Sequence, residues 1–227
     1  MGNAEGSMGE ASYSIPREGI VKAPVNDIPK GAIRVPEEEV FKIQDRIMRK
    51  WKPAFEMHGL RYGSGYLGGM TAITGFYIHN YWRFALKLRQ KNVMLTFLPT
   101  IVIPSVLATI CNQNFVQKPM QLQQVNCYLC LEMRATTLQG FLGLFQPLVL
   151  GAIASTYAAK VARTYAVPPL GQPADLMHMY RELGGKLRTP LLVILLLQTA
   201  VVAKVTYEQE KGSMRLNNRL STVMSSN

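Results

Sequence analysis

Cys127 and Cys130, separated by Tyr128 and Leu129, come nearest to chemistry by residue type and spacing. Two thiols in a CxxC can exchange with a disulfide, supply half of a zinc site, or close on each other. A thioredoxin-like redox pair needs a βαβ context, and none is legible around this one. A zinc site needs two more ligands, whereas Cys111 and the three histidines are scattered. The expectation is a structural disulfide between Cys127 and Cys130, or a thiol pair that shapes its loop. The disulfide form requires an oxidising compartment.

Other candidate chemistry is thinner. Gly63, Gly65 and Gly68 spell GxGxxG, but inside an apolar segment with no preceding strand, so the match is accidental. There is no P-loop and no HExxH. Gln139 and Gln146 are seven residues apart, which places them on one helical face, and Gln198 can join them in a polar patch. Such a patch serves either a small-molecule path or interhelical hydrogen bonding, and membrane bundles use the second routinely. No Asp, Glu, Lys or Arg stands at the centre of an apolar window, where proton relays and ion-coupled transporters carry theirs. The expectation is therefore no catalytic residue, no metal, no cofactor and no enzymatic activity.

The segments that must position these residues are apolar and long. Mean hydropathy over the chain is only +0.06, because charge is excluded from some windows and crowded between them. A bilayer core about 30 Å thick needs roughly 20 mostly apolar residues per spanning helix. Four windows meet that need or come close, at about 62–82, 93–111, 136–159 and 190–206. The sequence thus predicts an all-α membrane protein with four transmembrane helices, an N-terminal amphipathic helix and disordered termini. The first window is rich in glycine, and Gly65 and Gly69, like Gly68 and Ala72, stand four apart. Small residues at that spacing let helices approach closely. Gly140, Gly143 and Gly151 repeat the pattern in the third window, which Pro147 interrupts. The expected packing residues are Gly65, Gly68, Gly69, Gly140, Gly143, Gly151, Pro147 and Gln198. Pro99 and Pro104 predict kinks in the second window.

Outside the windows, residues 1–35 read as a disordered tail and 208–227 as a mobile one. Between them lie an amphipathic helix (36–58) and a transmembrane domain (59–207). In the helix, Val40, Ile43, Ile47 and Trp51 share a face, and Pro36 opens the first turn. It can lie in the membrane interface or pack on the bundle. A polar loop is expected over 112–135. Net charge is +11, yet no nucleic-acid-binding signature appears, and the cations flank apolar windows as membrane topology requires. The loops carrying Arg83, Lys87, Arg89, Lys91, Lys160, Arg163, Arg181, Lys186 and Arg188 outweigh the cysteine loop, which has Lys118 and Arg134. The positive-inside bias puts the termini and the cysteine loop on the outer side.

The order Cys127, Cys130, Arg134, Gly140, Gly143, Pro147, followed by Leu196-Leu197-Gln198-Thr199 and Glu208-Gln209, resembles the transmembrane protein 126 family. The resemblance covers about 62–211 and leaves the amphipathic helix outside. It implies a multi-pass protein of the mitochondrial inner membrane, with termini and cysteine loop facing the intermembrane space. The implied role is assembly of respiratory complex I. The implied partners are the lipid bilayer, hydrophobic membrane-arm subunits of complex I and other assembly factors, with no nucleic acid. The alternatives are a permanent accessory subunit of a respiratory complex and a small-molecule carrier.

Overall fold

The computed structural model describes residues 36–225 apart from 53, 90, 123, 126 and 169–172. The expected tail over 1–35 lies outside the described residues. Those described form α1 (Glu37–Lys50), α2 (His58–Ala85), α3 (Val93–Gln121), α4 (Tyr128–Ala162), α5 (Pro173–Gly184) and α6 (Arg188–Ser225). Short 3-10 turns lead into α2 and join α5 to α6. No strand occurs among the described residues, so the all-α expectation holds there.

Three helical rods, Val93–Gln121, Tyr128–Ala162 and Ala174–Leu216, are long and apolar enough to cross a membrane. The expected first span falls in α2. At 28 residues α2 rises about 42 Å, so length is not what sets it apart. Its polarity is: Ser64, Thr71, Thr74, His79 and Asn80 interrupt a glycine-rich stretch. That polarity has a structural reason, because α2 lies against α3, α4 and α6. Its inward stripe runs Leu60, Gly63, Ser64, Leu67, Gly68, Thr71, Thr74, Gly75, Ile78, His79 and Trp82. The more apolar rods turn side chains such as Leu107, Ile153 and Leu196 outward. The helix that lacks a strongly apolar window is thus the hub on which the three rods pack.

Successive rods run in alternating directions. One end gathers Met48, Met57, Leu60 and Leu216, beside Leu67, Val116, Met120, Leu131 and Val202. The other gathers Ile78, Trp82, Leu86, Leu88, Ala158 and Ala159. The start of α2, the end of α3, the start of α4 and the later part of α6 therefore share the end at which α1 and the cysteine loop lie. The basic loops occupy the opposite end.

Several boundaries differ from the sequence reading. The polar loop expected over 112–135 shrinks to the few residues between α3 and α4. Asn112, Gln117 and Gln121 are polar but buried, so they belong to helix faces turned toward neighbours. The tail expected from residue 208 is a continuation of α6. Gln209, Gly212 and Leu216 are buried there at helical spacing, and that contact is what prolongs the helix. Among the described side chains of α1 the deepest are Gln44 and Met48, while Val40 and Ile47, like Trp51 just after the helix, are half-buried. On that inward face Gln44 donates to the Gln121 carbonyl at 3.4 Å. That carbonyl, in the last turn of α3, lacks an intrahelical donor.

The prolines do not break α3 and α4. They coincide with π-helical turns at Leu98–Val102, Gln113–Gln117 and Phe141–Phe145, with Pro99 inside the first and Pro104, Pro119 and Pro147 just after a turn. A π turn inserts one extra residue into the helix and lets it continue past the missing N–H.

Candidate functional site

Three hydroxyls of α2 lie on its inward stripe, and each accepts from a glutamine of a different helix. Gln113 Nε2 of α3 donates to Ser64 Oγ at 3.2 Å. Gln139 Nε2 of α4 donates to Thr71 Oγ1 at 2.9 Å and to the Leu67 carbonyl at 3.3 Å. Gln198 Nε2 of α6 donates to Thr74 Oγ1 at 2.8 Å. Toward the α1 end, Gln117 Nε2 reaches the Leu60 carbonyl at 2.5 Å, and Gln209 Nε2 reaches Asn112 Oδ1 at 3.4 Å. The result is a polar seam along the bundle, built from amides and hydroxyls. In a bilayer such bonds hold helices together where the hydrophobic effect cannot. Ser64, Thr71 and Thr74 are the residues that sequence reasoning missed. Their signal was hydroxyls at helical spacing within a glycine-rich window.

Two proline-freed carbonyls are answered by side chains from another segment. Residue 147 has no N–H to donate to the Gly143 carbonyl, and Gln198 Nε2 supplies that bond at 3.0 Å. Residue 119 likewise cannot serve the Phe115 carbonyl, and Arg134 Nη1 reaches it at 3.4 Å. Re-satisfying freed carbonyls from neighbouring groups is what permits proline in a membrane helix.

The expected patch of three glutamines is only partly assembled. Gln139 and Gln198 flank Gly143, where an added Cβ would lie 2.7 Å from Gln139 Nε2 and 3.0 Å from Gln198 Oε1. Gln146 makes no bond to this cluster among the described residues. The π turn Phe141–Phe145 lies between residues 139 and 146, and its extra residue turns Gln146 off the face that ideal α-helical spacing predicts. The Nε2 groups of the other two are spent on helix contacts.

The expected packing glycines divide in the same way. Gly68 faces the Ser105 carbonyl, Gly143 the two glutamines, and Gly151 faces Thr100 and Ile78, while Pro147 and Gln198 are buried. Gly65, Gly69 and Gly140 have nothing within reach of a Cβ, so the structure does not bring them into packing. They lie off the inward stripes, and Gly65 and Gly69 share the outer face of α2 with Tyr62, Tyr66 and Ile73. Close approaches that the small-residue spacing did not point to occur at Gly59, Gly63 and Gly75, where a Cβ would meet Glu208, Gln209 and the Thr100 carbonyl.

At the basic end, Arg83 is buried rather than offered to solvent. Its guanidinium donates to the Lys91 carbonyl at 3.2 Å, to Thr96 Oγ1 at 3.1 Å and to the Arg89 carbonyl. It staples a loop in which Lys87, Arg89 and Asn92 take left-handed backbone. At the other end Cys127 caps the N-terminus of α4, accepting the Cys130 amide on its sulfur at 3.3 Å. The sulfurs stand 2.8 Å apart as free thiols, with Cys130 donating. Among the described residues, no group of three or more His, Cys, Asp or Glu comes together to hold a metal.

The family model described as Transmembrane protein 126 matches residues 39–219. The chain belongs to the transmembrane protein 126 family. The match takes in α1, which the sequence reading left outside, and most of α6. A relative named Transmembrane protein 126, from Drosophila melanogaster, is 26% identical over 204 residues, covering 89% of this chain and 92% of its own. Transmembrane protein 126A of Rattus norvegicus is 28% identical over 175 residues, covering 77% of this chain and 87% of its own. No solved structure matches the chain. As a member of the transmembrane protein 126 family, it is a membrane protein whose polar seam, CxxC turn and Arg83 staple all fall within the matched residues.

Proposed function

We propose that the chain is a mitochondrial inner-membrane assembly factor that scaffolds membrane-arm intermediates of respiratory complex I. Family membership carries this reading. It is supported by what the bundle does with its polar groups, since the side-chain nitrogens of Gln113, Gln117, Gln139 and Gln198, which a carrier would turn toward a substrate, donate to α2. It is also supported by the outer face of α2, where Gly65 and Gly69 leave room for another membrane helix. We take α2 as a fourth crossing, shielded on its polar side by the three apolar rods. On that reading α1 lies on the bundle end at the membrane surface. The basic loops face the matrix, and the termini and CxxC turn face the intermembrane space.

Purification of the tagged chain from mitochondria in mild detergent tests the role. The expected result is membrane-arm subunits and other assembly factors in substoichiometric company, with mature complex I free of the chain. Stoichiometric recovery with the mature complex would make it an accessory subunit instead.

A further inference from the structure

We propose that Cys127 and Cys130 form a thiol–disulfide exchange site, with Cys127 as the attacking sulfur and Cys130 as the resolving one, acting on a small disulfide of the glutathione type. The proposal goes beyond the scaffolding role and does not depend on it.

Among the described residues, the CxxC stands outside any βαβ unit of the thioredoxin kind. The chemistry itself asks for less: an accessible thiol at the start of a helix, with a second thiol one turn along. Here Cys127 is the capping residue of α4, and its sulfur receives both the Cys130 amide and the Cys130 S–H. Those two hydrogen bonds from Cys130 pull the Cys127 thiol below its ordinary range. Both cysteines are exposed, as are Tyr128 and Leu129 between them, so a disulfide can reach the pair. Arg134 lies one turn beyond Cys130, and its positive charge acts on the Cys130 thiol.

A permanent disulfide would do little structural work at this place. The stabilisation from a cross-link grows with the loop it closes, and this one would close a loop that one helical turn already fixes. The pair is thus poorly suited to holding the fold and well suited to opening and closing.

The step balances without a cofactor. The Cys127 thiolate attacks one sulfur of the disulfide, forms a mixed disulfide and expels the first thiolate. Cys130 then loses its proton and attacks Cys127 Sγ, expelling the second. The chain's dithiol is oxidised by two electrons to a disulfide, the small disulfide is reduced to two thiols, and the protons of Cys127 and Cys130 end on the products.

The full chain, purified in detergent, is equilibrated with mixtures of reduced and oxidised glutathione, quenched in acid and tagged with a maleimide. The chain has three cysteines. The expected result is loss of two tags together as the mixture becomes oxidising, leaving the tag on Cys111. In C130S a glutathione adduct accumulates on Cys127, and in C127S none accumulates on Cys130. Three tags at every mixture would overturn the proposal, as would an adduct on Cys130 in C127S as readily as on Cys127 in C130S.

Discussion

Pro147 removes one donor from α4, and Gln198 supplies one from α6. The two residues act as a pair, so their substitutions should couple. Gln198→Leu strands the Gly143 carbonyl and removes the bond that Thr74 Oγ1 accepts, while Thr74 keeps its own donation to the Met70 carbonyl. It should cost about 1–2 kcal/mol in a detergent unfolding titration, in keeping with hydrogen bonds between membrane helices. Gln146→Leu, outside the seam, should stay within about 0.5 kcal/mol. Pro147→Ala returns an N–H to α4, so Q198L should cost less on that background, and strictly additive effects would contradict the pairing. At the CxxC turn, the lowered Cys127 pKa keeps its thiolate populated to lower pH than an ordinary thiol. The rate of Cys127 alkylation by iodoacetamide should therefore reach half its plateau at a lower pH than that of a free thiol peptide. Coincident profiles would remove the effect.

Among the helices, α2 shows where the sequence was legible and where it was not. That a glycine-rich helix lies over 62–82 could be read from composition, but its facing could not. Both Gly65/Gly69 and Gly68/Ala72 have the small-residue spacing, and only partners tell which pair is inside. Gly75→Ala drives a Cβ to 2.5 Å from the Thr100 carbonyl and should destabilise by about 1–3 kcal/mol. Gly69→Ala meets nothing and should be neutral or slightly stabilising, since alanine is the better helix former. Thermal melts of the two variants in the same detergent would compare them. Similar losses would mean that both faces are packed. The glutamine patch was half legible for a related reason. Spacing arguments assume a uniform helix, and the π turn before Pro147 shifts every residue beyond it. The tail after residue 208 was illegible because polarity alone says solvent, while Gln209 and Gly212 are buried by contact with α2 and α3.

At the scale of the whole molecule, the two ends of the bundle differ in kind. One end is a basic surface whose innermost arginine is tied into its own loop. The other brings together α1, the long end of α6 and the dithiol. Truncation after Thr206 removes Gln209 and Leu216, and with them the contact that Met48 and Met57 share with α6. Limited proteolysis should then cut within α1 faster than in the full chain. Unchanged protection would show that α1 does not need α6. The all-helical fold and the family were both legible in the sequence, because apolar windows and motif order survive without knowledge of contacts. The proposed role rests on partners, and partners are best read in the cell. Deleting the gene and resolving native respiratory complexes from mitochondria tests that role most directly. The account predicts less complex I and an accumulation of membrane-arm subassemblies, restored by the wild-type chain. Normal complex I with no accumulated intermediate would contradict it.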